Sequence, residues 1–378
     1  MKIIVLGAGL VGGPMAVDLA REKEFNVTSV DKSENALDKL KKNYPINTIV
    51  ADLSNHLTIK ELIHDYDLVV NAVPGFMGYS TLKTIIEAGK NVVDISFFEE
   101  DAFQLDELAK EKEVTAIVDC GVAPGMSNVL VGYVDKILDK TESAIIYVGG
   151  LPQVRVWPYE YQAVFSPVDV IEEYTRPARY IENGYLVTRP ALSDPELIYF
   201  PGVGTLEAFN SDGLRSLAQT IDAPNLKEKT LRYPGHIEKM AVLRETGFFD
   251  KKEIEINGTK IRPLDFTSKL LFPMWEMNKG NGDITVMKVQ VSGVKDGKKI
   301  QYTYDLLDRY DAATDTISMA RTTGYTATAT VRLLHKGLFN RKGVCPPEMI
   351  GENCKCVSFL LEELKKRGIV YTETIESI

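Results

Sequence analysis

Residues 2–31 constrain the fold more than any other stretch of this chain. They read K-I-I-V-L-G-A-G-L-V-G-G, then a helical pattern, then F-N-V-T-S-V-D. Gly7, Gly9 and Gly12 stand in G-x-G-x-x-G spacing directly after a β-branched run, and Asp31 ends a second apolar run about twenty residues on. Together these are the context of a dinucleotide-binding βαβ unit. Gly7 allows the tight turn, Gly9 lets the backbone approach a pyrophosphate, and Gly12 lets the helix lie close to the sheet. Leu10 and Val11 complete the loop, whose helix N-terminus offers N–H donors to phosphate. Pro14 falls in the first helical turn, where its missing N–H costs nothing. Asp31 accepts the adenosine ribose hydroxyls and repels a 2′-phosphate, which favours NAD over NADP; Lys32 partly offsets that charge.

The remaining composition narrows the class. A chain of 378 residues suggests two or three domains. A net charge of −9 without a basic block argues against nucleic-acid or anionic-membrane partners. No apolar run approaches a membrane span, and the N-terminus enters a strand at once, so a cytoplasmic enzyme is expected. Cys120, Cys345, Cys354 and Cys356 lack zinc-site spacing; free thiols and no metal are expected.

Apolar strand candidates fall at 2–6, 27–31, 47–51, 68–73, 91–95, 115–119 and 143–149, separated by helical patterns. This alternation predicts an α/β fold with a doubly wound parallel (Rossmann) sheet. Beyond residue 150 the texture changes. I-E-I-N-G-T-K-I carries an N-G hairpin signal, and I-T-V-M-K-V-Q-V-S followed by V-K-D-G-K-K and I-Q-Y-T-Y-D-L-L predicts an antiparallel pair. A second α+β domain with a mixed or antiparallel sheet follows. Helical patterns return at 322–336 and 355–367. The expected division is 1–125, with about 322–378 packing back onto it, and 126–321.

Ligands of open α/β sheets sit beyond the carboxyl ends of the strands. Four segments lie there. Asp52 either reaches the adenine amino group or caps a helix. The loop Asn71, Ala72, Val73, Pro74 and Gly75 is expected to pass the cofactor, a plain loop being the alternative. Asp94, after the fifth strand, is either a cofactor contact or a structural acid. Asp119 and Gly121 belong to D-C-G-V-A-P-G-M-S-N, a turn into a helix near Ser127 that is expected under the nicotinamide. In the second domain His236 stands out among four histidines as a candidate base, with Glu238 or Glu160 beside it, the alternative being a surface or core histidine. Arg321 is a candidate carboxylate clamp, with Thr322 next to it and Tyr161 further upstream as substrate contacts.

The fingerprint, D-C-G-V-A-P-G-M-S-N at 119–128, Y-V-G-G-L-P at 147–152, R-Y-P-G-H-I-E-K at 232–239 and M-A-R-T-T-G-Y at 319–325 together resemble the saccharopine dehydrogenase-like oxidoreductases. Within that family the likeness is closest to the L-lysine 6-dehydrogenase branch. The resemblance implies a bilobal fold, a nicotinamide cofactor and a homodimer formed through the second domain. It implies NAD-dependent oxidative deamination of the lysine ε-amine to the semialdehyde, which cyclises, with release of ammonia. Alternatives are saccharopine or carboxynorspermidine dehydrogenase-type chemistry at a secondary amine, and a non-catalytic NAD-binding redox sensor or scaffold.

Overall fold

The structure is a computed structural model that describes residues 1–277 and 281–378. The first segment alternates as β1 (Lys2–Leu6), α1 (Gly12–Ala20), β2 (Asn26–Asp31), α2 (Glu34–Asn43), β3 (Asn47–Val50), α3 (His56–Ile63), β4 (Leu68–Asn71), α4 (Gly75–Glu87), β5 (Asn91–Asp94), α5 (Asp106–Glu111), β6 (Thr115–Ile117) and α6 (Met126–Ile137). The middle contains β7 (Lys140–Pro152), α7 (Pro167–Thr175), β8 (Ala178–Glu182), β9 (Tyr185–Arg189), β10 (Glu196–Phe200), β11 (Gly204–Asn210), α8 (Leu217–Thr220), β12 (Asn225–Arg232), α9 (His236–Glu245), β13 (Ile254–Ile256), β14 (Thr259–Ile261), α10 (Pro263–Trp275), β15 (Asp283–Lys295) and β16 (Lys298–Arg309). The C-terminal stretch adds α11 (Ser318–His335), β17 (Gly343–Cys345), α12 (Pro347–Gly351), α13 (Cys354–Lys366) and β18 (Tyr371–Ser377).

Two compact units result: Met1–Leu138 with Met319–Tyr371, and Asp139–Ser318 with Thr372–Ile378. The first boundary therefore falls after α6 rather than at residue 125, and the last strand belongs to the second unit.

The first unit is built on a seven-stranded sheet of order β17-β6-β5-β4-β1-β2-β3. Its paired strands run parallel. β4 (L-V-V-N) is buried throughout, as a strand covered on both faces must be. The register sets Leu6 beside Val30 on one side and Asn71 on the other, and Asn71 beside Asp94. The strand read at 143–149 is β7 of the second unit; the seventh parallel strand is β17. Helix α1 is tied to the C-terminal helices through buried Asp18. It accepts from Arg332 Nη1 at 2.9 Å, Arg367 Nε at 2.8 Å and Thr328 Oγ1 at 2.5 Å.

The second unit holds a nine-stranded mixed sheet with the path β10-β11-β12-β7-β15-β16-β18, and β8 and β9 attached beside β12. β12 and β7 are parallel, whereas β15 is antiparallel to both β7 and β16. The N-G hairpin forms as β13 and β14. A second core packs Tyr161, Tyr174, Phe209, Ile237 and Trp275 between helices and sheet.

Candidate active site

The fingerprint glycines divide into two kinds. A Cβ on Gly7 (φ 108°) would stand 2.6 Å from the Ala72 carbonyl oxygen, and one on Gly12 would stand 2.2 Å from that of Gly7. Both glycines are required by the fold itself. A Cβ on Gly9 would meet nothing within 4 Å, so Gly9 keeps space open beside the start of α1. Val11, the N-cap, gives that helix no side-chain cap. Asp31 is pinned in turn: Oδ2 accepts from Ala8 N at 2.7 Å and Oδ1 from Ser33 N at 2.8 Å. An open glycine, an uncapped helix start and an acid fixed at the end of β2 fit a nicotinamide dinucleotide. Exposed Asp52 accepts from Ser54 N at 3.0 Å, a bond that lowers its pKa. It caps no helix; Asn55 caps α3.

The Asn71 and Asp94 side chains are interior and bonded to each other, which makes Asp94 the structural acid of its two readings and leaves Asn71 without the direct cofactor contact expected of its side chain. Asn71 Nδ2 donates to Asp94 Oδ2 at 2.8 Å, and Ser96 donates to Asp94 Oδ1 through its amide at 2.7 Å and through its hydroxyl. Burial pushes Asp94 up to about 7. This knot ties the ends of β4 and β5 together. Ala72 lies against the glycine loop, Val73 is buried, and Pro74 opens α4.

The turn at 119–128 is equally determined. Asp119 is buried with φ 51°, and a Cβ on Gly125 (φ 141°) would stand 1.8 Å from the Gly121 oxygen. Asn128 closes the turn, accepting from Gly125 N at 3.3 Å. Cys120 is a packing residue, its thiol pushed up to about 12 by burial. A Cβ on Gly121 would reach the Thr323 methyl at 3.2 Å, so α11 lies against this turn. On α11, Arg321 Nη2 donates to the Arg367 carbonyl at 2.9 Å. Thr322 is fully buried, with its hydroxyl on the Met319 carbonyl at 3.4 Å, and is not a surface contact.

In the second unit a directed chain of hydrogen bonds runs through His236. Nδ1 faces the Tyr159 carbonyl at 2.8 Å and must donate, because a carbonyl only accepts. Arg232 Nε donates to Tyr174 Oη at 3.0 Å, so the tyrosine proton goes to His236 Nε2 at 3.0 Å. Glu173 pairs with Arg232, and the Tyr161 ring lies 4.7 Å from the guanidinium and 5.1 Å from the imidazole. Burial, then the Arg232 charge, pulls His236 down to about 3. With 0% exposure and both ring nitrogens engaged, His236 is not the base its isolation in the sequence suggested. Tyr161 is likewise interior, and its hydroxyl finds no partner among the described residues. Glu238 is exposed on α9 and does not orient the imidazole. Glu160 (φ 54°), partly exposed, pairs with Arg155. Sequence reasoning singled out the Arg232–Lys239 segment without giving Arg232 a role, and missed Tyr174 and Glu173. Arg232 stands four residues before His236, but nothing in I-E-E-Y-T-R-P marks Tyr174. Among the described residues no three His, Cys, Asp or Glu side chains gather as a metal set, and no helix is long and apolar enough to cross a membrane.

A model of the saccharopine dehydrogenase C-terminal domain matches residues 121–369, and one of the saccharopine dehydrogenase NADP binding domain matches residues 3–117. The chain is 27% identical to the mitochondrial alpha-aminoadipic semialdehyde synthase of Rattus norvegicus, in a match covering 71% of this chain and 31% of that protein. It thus spans about a third of the length of the first curated relatives it matches. It is 24% identical to the saccharopine dehydrogenase (NADP(+), L-glutamate-forming) of Schizosaccharomyces pombe over 99% of each chain. Identity is also 24% with the carboxyaminopropylagmatine dehydrogenase of Synechocystis, over 91% of each. The fold matches apo saccharopine dehydrogenase (L-Glu forming) from Saccharomyces cerevisiae with a TM-score of 0.81, 18% identity and 99% coverage of both chains.

Proposed function

The chain belongs to the saccharopine dehydrogenase family, and from that premise we propose that it is an NAD-dependent dehydrogenase acting on the ε-amine of L-lysine. The overall change converts the ammonium form of lysine, NAD⁺ and water into the ε-aldehyde, ammonium, NADH and a proton. A bound nicotinamide supplies the hydride acceptor.

The glycine loop and the β4–α4 loop hold the dinucleotide, and Asp31 sets its type. A carboxylate fixed by two amides cannot turn aside from a 2′-phosphate, which supports NAD although the matching domain family is named for NADP.

The substrate amine must lose a proton before its carbon can give up hydride. Lysine's amine has a pKa of about 10.4, so it arrives protonated. His236, neutral and enclosed, does not take that proton. Glu160 is the acceptor we assign, and His236 is a positioning residue: through the Tyr159 carbonyl it anchors the residue preceding Glu160. Arg321 is assigned to the α-carboxylate, and Glu238 remains the second candidate acid.

One observation carries the choice of lysine. A secondary amine such as saccharopine brings extra carboxylates that need cations. Arg176 lies 3.9 Å from Glu172, and Arg179 grips Asp212 through two bonds of 2.8 and 2.7 Å, so neither is free for a second carboxylate. The names of the relatives favour the second reading, secondary-amine chemistry. Incubating the protein with NAD or NADP and each amine in turn separates the two. Reduced cofactor and ammonia in equal amounts from lysine support the proposal; turnover of saccharopine alone overturns it.

A further inference from the structure

Phe76, in the first turn of α4, is 79% exposed. A single exposed aromatic means little by itself, but this one stands at a particular place. Its loop touches the glycine loop, because the missing side chains of Gly7 and Gly12 both leave room for Ala72. Leu10, on that neighbouring loop, is 57% exposed as well. Next to Leu10 lies Gly9, beside which a Cβ would meet nothing. Two large exposed apolar side chains thus stand on two loops that touch at Ala72, and one of those loops carries the open backbone at Gly9 assigned to the pyrophosphate.

We propose that Phe76 is the platform on which the adenine ring of the dinucleotide rests. This builds on the dinucleotide-binding reading of the first unit. Asp31, at the end of β2, takes the adenosine ribose; β1 alone separates β2 from β4, the strand that leads to Phe76. The nicotinamide ring must keep a face clear for the substrate. Adenine has no such duty, and a flat heteroaromatic base gains from stacking on a phenyl ring with little regard to its hydrogen-bonding edge. Leu10 then covers the neighbouring sugar-phosphate, and the exposed apolar surface of both loops is withdrawn from water only in the bound state.

The test is calorimetric titration of ADP-ribose and, separately, nicotinamide mononucleotide into the unmodified protein, Phe76→Ala and Phe76→Trp. The proposal expects Phe76→Ala to bind ADP-ribose roughly ten-fold more weakly, Phe76→Trp to restore binding, and mononucleotide affinity to stay level. Equal ADP-ribose affinity in Phe76→Ala and the unmodified protein overturns it. A loss confined to the mononucleotide overturns it too, by assigning the ring to the other base. Failure of the unmodified protein to bind ADP-ribose at all overturns the dinucleotide reading on which it rests. Matching unfolding midpoints for the three proteins show that the substitutions leave the fold intact.

Discussion

His236 Nδ1 donates a hydrogen bond to the Tyr159 carbonyl at 2.8 Å, one residue before Glu160. The imidazole is held from its other side by Tyr174, itself held by Arg232. Under the proposed assignment His236 holds the loop and Glu160 moves the proton, and the two roles have different kinetic signatures.

Glu160→Gln should lower kcat by about 10²–10⁴-fold and remove the acid limb of the pH–rate profile, the usual scale for losing a general base. His236→Ala should lower kcat by about ten-fold through misplacement, with the shape of the profile retained. Steady-state profiles for both variants check this. Loss of the acid limb in His236→Ala, with Glu160→Gln unaffected, would restore the histidine as base.

Gly9→Ala and Gly12→Ala should fail in opposite ways. The added methyl on Gly9 enters open space, so the unfolding free energy should move by no more than about 0.5 kcal/mol, while dinucleotide binding is lost. The methyl on Gly12 collides with the Gly7 carbonyl at 2.2 Å and should lower the melting temperature even without ligand. Melting curves with and without NAD check both.

Asp31→Ser should reverse cofactor preference. It removes a charged acceptor for the ribose, worth about 1.5–3 kcal/mol, so KM for NAD should rise at least ten-fold while KM for NADP falls. Unchanged selectivity in kcat/KM would show that the acid at the end of β2 does not read the ribose.

Stability should carry the mark of Glu228, which burial pushes up to about 8 although Ser211 Oγ donates to it at 2.6 Å. Unfolded, the group titrates near 4.3. Between about 4 and 8 the folded chain binds more protons than the unfolded one, so this group lowers stability as pH rises. His236 acts oppositely between about 3 and 6.5: there the unfolded chain binds more protons, and stability rises with pH. Glu228→Gln removes only the first effect. Urea unfolding across this range should show the variant gaining on the unmodified protein as pH increases; parallel curves would contradict the assignment.

What the sequence revealed depended on burial geometry. β1, β4 and β5 centre on unbroken apolar runs, and β2 is buried along its middle even at Thr28 and Ser29; the fingerprint sits between β1 and β2. β17 is three residues long and leaves almost no pattern, so the edge strand went unread. β9, exposed or partly exposed at every position, shows no alternation. His236 reads as a base in sequence because its partners are scattered. Tyr174 lies 62 residues away on α7, and the Tyr159 carbonyl, being backbone, has no signature in sequence. Asn71 and Asp94 stand at the correct sheet edge, but strand parity and packing direct their side chains inward.

The most direct test of lysine ε-oxidation uses L-lysine deuterated at the ε-carbon, with NAD and purified protein. The account predicts deuterium in the reduced nicotinamide, one equivalent per ammonia released, and a slowed rate if hydride transfer limits turnover. Reduced nicotinamide free of deuterium, or no reduction with lysine while saccharopine is consumed, would contradict it.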